Sequence, residues 1–184
     1  MTVKDVVKAT ATFLGRENII EYLDGATADN LVLSQVNTLT RLTNLVIYEL
    51  ACSFIPMVKT ENVESKGGKV WYSSLSETPC EIVNAYDQLG EEVSFTVKPE
   101  FLQTNHFIKS VEYKYLPSAY GLEDKIGYDE RTVSPVVLAY GVTAEYLLTQ
   151  KAFEQSVMWH ERFTEGVNKI CAPKNARIRE RRFI

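Results

Sequence analysis

The chain has 184 residues, of which 45% are hydrophobic and 24% are charged, and its formal net charge is −4. This composition is that of an ordinary globular protein, and the length suits one domain with or without an appendage. No signal peptide is expected, because no long apolar core follows a basic patch at the start, and the longest mostly apolar run, residues 45–58, is too short for a membrane span. Cys52, Cys80 and Cys171 are odd in number and far apart, which fits reduced thiols in a cytoplasmic product.

Residues 1–58 are predicted to be helical. Thr2 and Asp5 have the spacing of a capping box, and a short helix is expected over residues 17–24. The longest helix is expected to follow Asp29 and Asn30 and to end before Pro56. Its apolar side chains recur at steps of three and four, as a helix packed in a bundle core requires: Val36, Leu39, Thr43, Val46, Leu50 and Phe54.

Residues 67–116 change to the pattern of strands. Four segments are short, rich in β-branched and aromatic residues and bounded by turn formers: GGKVWYSSL, CEIVNAYD, EEVSFTV and KSVEYKYL. In the last segment Val111, Tyr113 and Tyr115 share one face, as in a half-buried antiparallel strand. These segments predict a four-stranded antiparallel β-insertion between helices.

Residues 134–172 are predicted to form a second helical part. Ser134 is a suitable cap, Pro135 suits the first helical position, and Gly141 inside the helix indicates that another element packs closely there. A further helix places Trp159 and Phe163 on one side. The expected fold class is therefore α+β: a helical bundle interrupted by the β-insertion in a single domain over residues 1–172, followed by an extended basic arm over 173–184.

Signatures of catalysis are missing from the sequence. It has no GxGxxG, GxxxxGK[ST], HExxH or GxSxG motif, and its two histidines form no zinc-binding pattern with the cysteines. The loop over residues 117–132 is acidic and long enough to be functional, but Lys125 and Arg131 lie among its acids. We therefore expect neither an enzyme nor a cofactor, with metal binding by this loop kept as an alternative.

The C-terminal segment KNARIRERRFI carries +4, whereas the other 173 residues carry −8. A tail opposite in sign to its own body favours a role in contact. Three interpretations fit: a strip that contacts nucleic-acid phosphates, an extended arm that buries apolar anchors while its guanidinium groups meet carboxylates, or a solvated terminus. The arm's candidate partner-binding residues are Arg177, Ile178, Arg179, Arg181, Arg182, Phe183 and Ile184.

The order of elements resembles small structural proteins of tailed bacteriophages, in particular the head–tail connector (adaptor) proteins of the neck. The segments that carry the resemblance are GGKVWYSSL, VEYKYLP, SPVVLAYGVTAEYLL, FEQSVMWHERF and the terminal RERRF. It implies a virion protein, made in the cytoplasm of a bacterial host, that forms a ring, commonly dodecameric, beneath the portal protein. It also implies contact with the next neck or tail component and passage of genomic DNA without specific binding or any membrane.

The resemblance also suggests roles for individual residues. The helices would build the ring wall, with Trp159 and Phe163 on a face shared between the core and a neighbouring copy. Residues 177–184 would extend onto the portal or an adjacent subunit, and Trp71 and Tyr72 of the β-insertion would contact another neck component, although core packing of one of them is an equal alternative. Other interpretations remain: a tail-completion or other neck ring protein, a DNA-binding packaging accessory factor, or an enzyme that uses a metal in the acidic loop.

Overall fold

The computed structural model describes residues 1–65 and 67–172, which form five α-helices and two small antiparallel sheets. The helices are α1 (Val3–Phe13), α2 (Glu17–Leu23), α3 (Asn30–Ser53), α4 (Pro135–Thr149) and α5 (Phe153–Cys171). The strands are β1 (Met57–Asn62), β2 (Lys69–Trp71), β3 (Pro79–Tyr86), β4 (Thr96–Val97), β5 (Phe101–Gln103) and β6 (Ser110–Tyr115). The mixed α and β composition expected from the sequence is confirmed. The basic arm lies outside the described residues.

The helix starts follow local capping chemistry. The backbone N–H of Thr2 donates to the Asp5 carboxylate over 2.7 Å, and the Asp5 N–H donates to the Thr2 hydroxyl over 3.3 Å, so the predicted capping box is present. Asp29 accepts a hydrogen bond from the N–H of Val32 over 2.8 Å at the start of α3. Ser134 caps α4, with Pro135 in the first turn as predicted.

The helical core is built around α4, against which α1, α3 and α5 pack. A Cβ placed on Gly141 would lie 2.9 Å from Val46 Cγ1 of α3 and 3.1 Å from Phe163 Cδ2 of α5. The predicted close approach at Gly141 is therefore confirmed, and three helices meet there. The Ser156 hydroxyl also donates to the Ala144 carbonyl over 2.9 Å, which ties α5 to α4.

The β-insertion differs from the prediction of one four-stranded sheet. Its strands form two three-stranded sheets with the orders β1-β6-β3 and β2-β5-β4, and all their pairings are antiparallel. The prediction missed β1, because its sequence MVKTEN is mostly polar and follows directly on the long helix. It also missed β5, which has only three residues. The predicted helical range 1–58 is wrong at its end, since α3 stops at Ser53 and residues 57–58 belong to β1.

The β1-β6-β3 sheet has the longer strands and is called the larger sheet here, and the β2-β5-β4 sheet is called the smaller one. The burial along β6, the central strand of the larger sheet, alternates as its sequence predicted. In β6, Val111 and Tyr113 are buried, while Glu112 and Lys114 are only half-buried. The sheets have a hydrophobic cluster separate from that of the helices, and Tyr115 packs against both clusters. Tyr115 therefore lies where the helical core meets the β-insertion.

Candidate functional site

The predicted contact residues of the C-terminal arm, Arg177, Ile178, Arg179, Arg181, Arg182, Phe183 and Ile184, lie outside the described residues. The predicted contact residues of the β-insertion, Trp71 and Tyr72, are described. Trp71 ends β2, and its ring packs on that of Phe101 across the strand pair, with the ring centroids 5.0 Å apart. The Lys69 ammonium lies 4.7 Å from the centroid of the same phenyl ring. Trp71 remains 44% exposed, so it offers an aromatic surface held in place by its neighbours.

Tyr72 begins a 3-10 turn, Tyr72–Ser74, and packs against the hydrophobic cluster of the sheets. Among the described residues no group meets hydrogen-bond geometry with its buried hydroxyl. Burial raises the pKa of Tyr72, and the nearby backbone N–H of Lys98 offsets part of that rise. That N–H donates to the Phe101 carbonyl over 2.9 Å, so it is not a well-aligned donor to the tyrosine. Of the two predicted contact residues, Trp71 therefore lies at the surface and Tyr72 in the packing.

The side of α5 that was predicted to be shared between core and neighbour carries one buried residue, Phe163, and one half-buried residue, Trp159. Phe163 is only 2% exposed and packs at Gly141 inside the chain's own core. Trp159 is half-buried in an aromatic cluster, with ring centroids 5.0 Å from Phe13 and 5.6 Å from Tyr140. The Arg162 guanidinium carbon lies 4.6 Å from the Trp159 ring centroid. This side of α5 faces inward because Phe163 packs at Gly141 and Trp159 packs against Phe13 and Tyr140 of the same chain.

The long loop between β6 and α4 is anchored on the helices. The side-chain amide of Asn44 in α3 donates to the Tyr120 carbonyl over 2.9 Å and accepts from the Tyr120 N–H over 2.8 Å. The Tyr128 hydroxyl donates to the Ile55 carbonyl over 2.8 Å. The loop backbone also pairs with the start of α1, where the N–H of Lys4 donates to the Leu122 carbonyl over 2.8 Å.

The acidic side chains of this loop have local partners. Asp124 accepts the N–H of Gly121 over 2.6 Å, Asp129 accepts the N–H of Arg131 over 3.0 Å, and Glu123 lies 3.2 Å from the Lys4 ammonium. Across residues 1–65 and 67–172, no three His, Cys, Asp or Glu side chains are arranged to hold a metal ion. These contacts order the loop on the helices.

A polar network ties the segment after the 3-10 turn to the larger sheet. Glu61 of β1 accepts from the Tyr113 hydroxyl over 2.6 Å and from the Ser76 N–H over 3.0 Å, and it lies 3.3 Å from the Lys59 ammonium. Burial alone raises the pKa of Glu61, but these hydrogen bonds outweigh burial and bring the pKa to about 2. Burial and the bond to Glu61 raise the pKa of Tyr113 to about 12.

Two exposed helix faces were missed by the sequence reasoning. The first, here called the α3 outer strip, lies opposite the buried face of α3. It consists of Leu31, Ser34, Thr38, Arg41, Leu45 and Tyr48. Leu45 and Tyr48 are 49% and 48% exposed. The signal available in the sequence was that Leu31, Leu45 and Tyr48 fall at helical spacing outside the main apolar stripe.

The second face, the α5 outer strip, lies opposite the buried side of α5. It consists of Glu154, Val157, Met158, Glu161 and Glu165. Val157 and Met158 are 57% and 54% exposed and flank the three carboxylates. Both outer strips thus present apolar side chains next to charge, which is the composition of many interaction surfaces.

Comparison of the chain with models of protein families gives no match, and comparison with curated proteins gives none either. In the part of the chain that the structure describes, no helix combines the length and the apolar character that a membrane crossing requires.

Proposed function

We propose that this chain is a structural subunit of the neck of a tailed bacteriophage, a head–tail connector that forms a ring beneath the portal protein. The observation that carries the proposal is the pair of outer strips on α3 and α5. Each leaves large apolar side chains exposed on a well-packed helix, and they face away from the core in which Val46 and Phe163 meet at Gly141. A ring subunit needs two such surfaces, because one face of each copy meets a different face of the next.

The charge distribution supports the same proposal. Outside the terminal arm the chain carries −8. A lumen lined by such a surface repels phosphates, so DNA slides past without being gripped. The basic arm then supplies the opposite charge where the subunit docks on another protein. Many exposed ion pairs of about 0.2–1 kcal/mol each sum when every copy of a ring contributes one arm.

The β-insertion has a separate part in this proposal. Trp71 is the exposed aromatic residue at the edge of the smaller sheet, and it is already held against Phe101. An ordered aromatic side chain loses little conformational entropy when a partner covers it, so it is a suitable anchor. We assign to Trp71 the contact with the next neck or tail component, and to Tyr72 a packing role.

The test is the mass of complexes formed with portal rings, made from the portal gene of the same genome, by the full chain and by a chain ending at residue 173. The expected result is binding of many copies of the full chain per portal ring, and loss of that binding without residues 174–184. Failure of both forms to bind the portal would overturn the proposal. Salt-sensitive binding to DNA that requires residues 174–184 would instead favour the packaging accessory factor.

A further inference from the structure

We infer that the α3 outer strip of one copy binds the α5 outer strip of the next copy, with the two helices antiparallel and Arg41 opposite Glu161. This inference rests on the proposed function and deepens it, because it names the two surfaces that join neighbours in the ring. Both strips lie on the sides of their helices that point away from the chain's own core. They can therefore meet only between copies.

Charge complementarity identifies the partner of each strip. Arg41 is the one charged residue of the α3 outer strip, and within the described residues it forms no salt bridge. The α5 outer strip holds three carboxylates, of which Glu165 lies 3.7 Å from the Lys169 ammonium, while Glu154 and Glu161 have no described ion pair. A second copy of the same chain thus supplies an acid for Arg41 and a cation for Glu161, neither of which forms an ion pair among residues 1–65 and 67–172.

The spacing of apolar residues selects the direction of the two helices. With Arg41 opposite Glu161, an antiparallel arrangement places Leu45 opposite Val157 and Tyr48 opposite Glu154, since both helices advance by the same rise per residue. Leucine then covers an apolar side chain, and the tyrosine hydroxyl reaches a carboxylate. A parallel arrangement from the same starting pair would place Leu45 on Glu165 and bury a carboxylate against leucine. The antiparallel register is therefore preferred.

The contact joins two different surfaces, so it is heterologous and propagates from copy to copy. Each copy retains one free α3 outer strip and one free α5 outer strip until the ring closes. A two-fold dimer that paired each strip with itself would bring Glu161 of one copy towards Glu161 of the other, and like-charge repulsion disfavours it. A two-fold dimer that made the α3–α5 contact twice would stop at two copies, and a double-cysteine variant would then give covalent dimers and no ladder.

Cross-linking of the full chain tests this contact. Cys52, Cys80 and Cys171 are first replaced by serine. Tyr48→Cys is then combined with Glu154→Cys, a pair that the antiparallel register also brings together, so that Arg41 and Glu161 stay in place. A short bis-maleimide, each end of which adds to one thiol, is applied to the free chain and to the chain mixed with portal rings. The expected result is a ladder of covalent multimers on a denaturing gel in at least one of these samples, and monomers from each single variant.

A matched control uses Leu31→Cys with Glu154→Cys. Leu31 belongs to the same strip and is also exposed, but it lies 17 residues from Tyr48, about 25 Å along the helix. No ladder is expected from this pair. Circular dichroism and urea unfolding of every variant check that it is folded.

A second readout needs no cross-link. Leu45→Glu places an acid against the acidic strip and is expected to remove multimers from the mass distribution, whereas Leu45→Arg is expected to retain them. Monomers or dimers only in all cross-linked samples, a ladder from the control pair, or a covalent dimer from either single variant would overturn the inference. If many copies bind the portal but the expected cross-link does not form, the α3–α5 contact is wrong and the connector proposal still holds. If the ladder forms but the chain does not bind the portal, the contact is supported and the connector proposal is wrong.

Discussion

The side chain of Asn44 pairs with both backbone groups of Tyr120, donating over 2.9 Å and accepting over 2.8 Å. One amide in the middle of the longest helix thereby fixes the start of the loop that precedes α4. The pair is partly buried, so neither backbone group of Tyr120 is readily replaced by water. The same loop carries Tyr128, whose hydroxyl reaches the Ile55 carbonyl at the other end of the β-insertion. The loop therefore joins the helices to the point where the sheets begin.

We expect Asn44→Asp to lower the free energy of unfolding by about 1–3 kcal/mol, because the carboxylate loses the donor and faces the Tyr120 carbonyl. Urea unfolding measures the change. Asn37→Asp, at an exposed position of the same helix, is the control and should change stability much less. Equal effects at both positions would show that the Asn44 pair contributes nothing specific.

Replacement of Gly141 by alanine is expected to destabilise the chain, although alanine normally favours a helix by about 1 kcal/mol over glycine. The added methyl would lie 2.9 Å from Val46 Cγ1, so α3 and α4 must move apart or Val46 must change rotamer. Overpacking of this kind costs about 1–3 kcal/mol. Thermal or urea unfolding of Gly141→Ala gives the size of the effect.

A double-mutant cycle with Val46→Ala tests the cause. If the clash is with Val46, the second substitution should recover part of the loss caused by Gly141→Ala, so that the two changes are not additive. Strict additivity would place the strain elsewhere, at Phe163.

Stability should depend on Glu61 in acid. Its pKa is about 2 in the folded chain against an ordinary value of 4.5, so the folded state favours the carboxylate. A lowered pKa contributes stability that is fully present above pH 4.5 and is lost as the pH falls towards 2. We expect Glu61→Gln to lower the free energy of unfolding at neutral pH by on the order of 1–3 kcal/mol and to flatten its decline in this range.

Unfolding at a series of pH values measures both effects of Glu61→Gln. The exposed Glu64 provides the control, since Glu64→Gln should leave the curve close to that of the unchanged chain. An unchanged acid slope in Glu61→Gln would mean that the network around Ser76 and Tyr113 does not stabilise the ionised carboxylate.

Two tyrosines of the β-insertion should respond differently to the loss of a hydroxyl. The Tyr72 hydroxyl is buried without a described partner, so Tyr72→Phe is expected to be neutral or to stabilise by up to about 1 kcal/mol. The Tyr113 hydroxyl donates to Glu61 over 2.6 Å, so Tyr113→Phe should destabilise by about 1–3 kcal/mol. Urea unfolding of the two variants measures both changes. A clear loss of stability in Tyr72→Phe would show that the Tyr72 hydroxyl has a hydrogen-bond partner.

The sequence predicts those features of the fold that are set by local chemistry. Thr2 with Asp5, Asp29 and Ser134 each satisfy backbone N–H groups within one turn, so three helix starts could be located from nearby residues alone. The close packing at Gly141 could also be predicted, because glycine destabilises a helix and is usually kept there only where another element packs closely against it.

Features set by distant partners could not be predicted in the same way. Strand β1 looks polar in sequence, and its Glu61 is held by Tyr113 and Ser76 from later in the chain. Trp71 and Tyr72 are adjacent aromatic residues, and only the packing of the smaller sheet decides which of them is exposed. The outer strips on α3 and α5 contain a few apolar residues among polar ones, and the sequence alone does not show that the core leaves these residues exposed.

The most direct measurement for the connector proposal is electron microscopy of the full chain mixed with portal rings from the same genome. We expect end-on views of a closed ring of many copies around an open channel, attached to one end of the portal. Single copies scattered on the portal, open filaments, or portal rings without added density would contradict it.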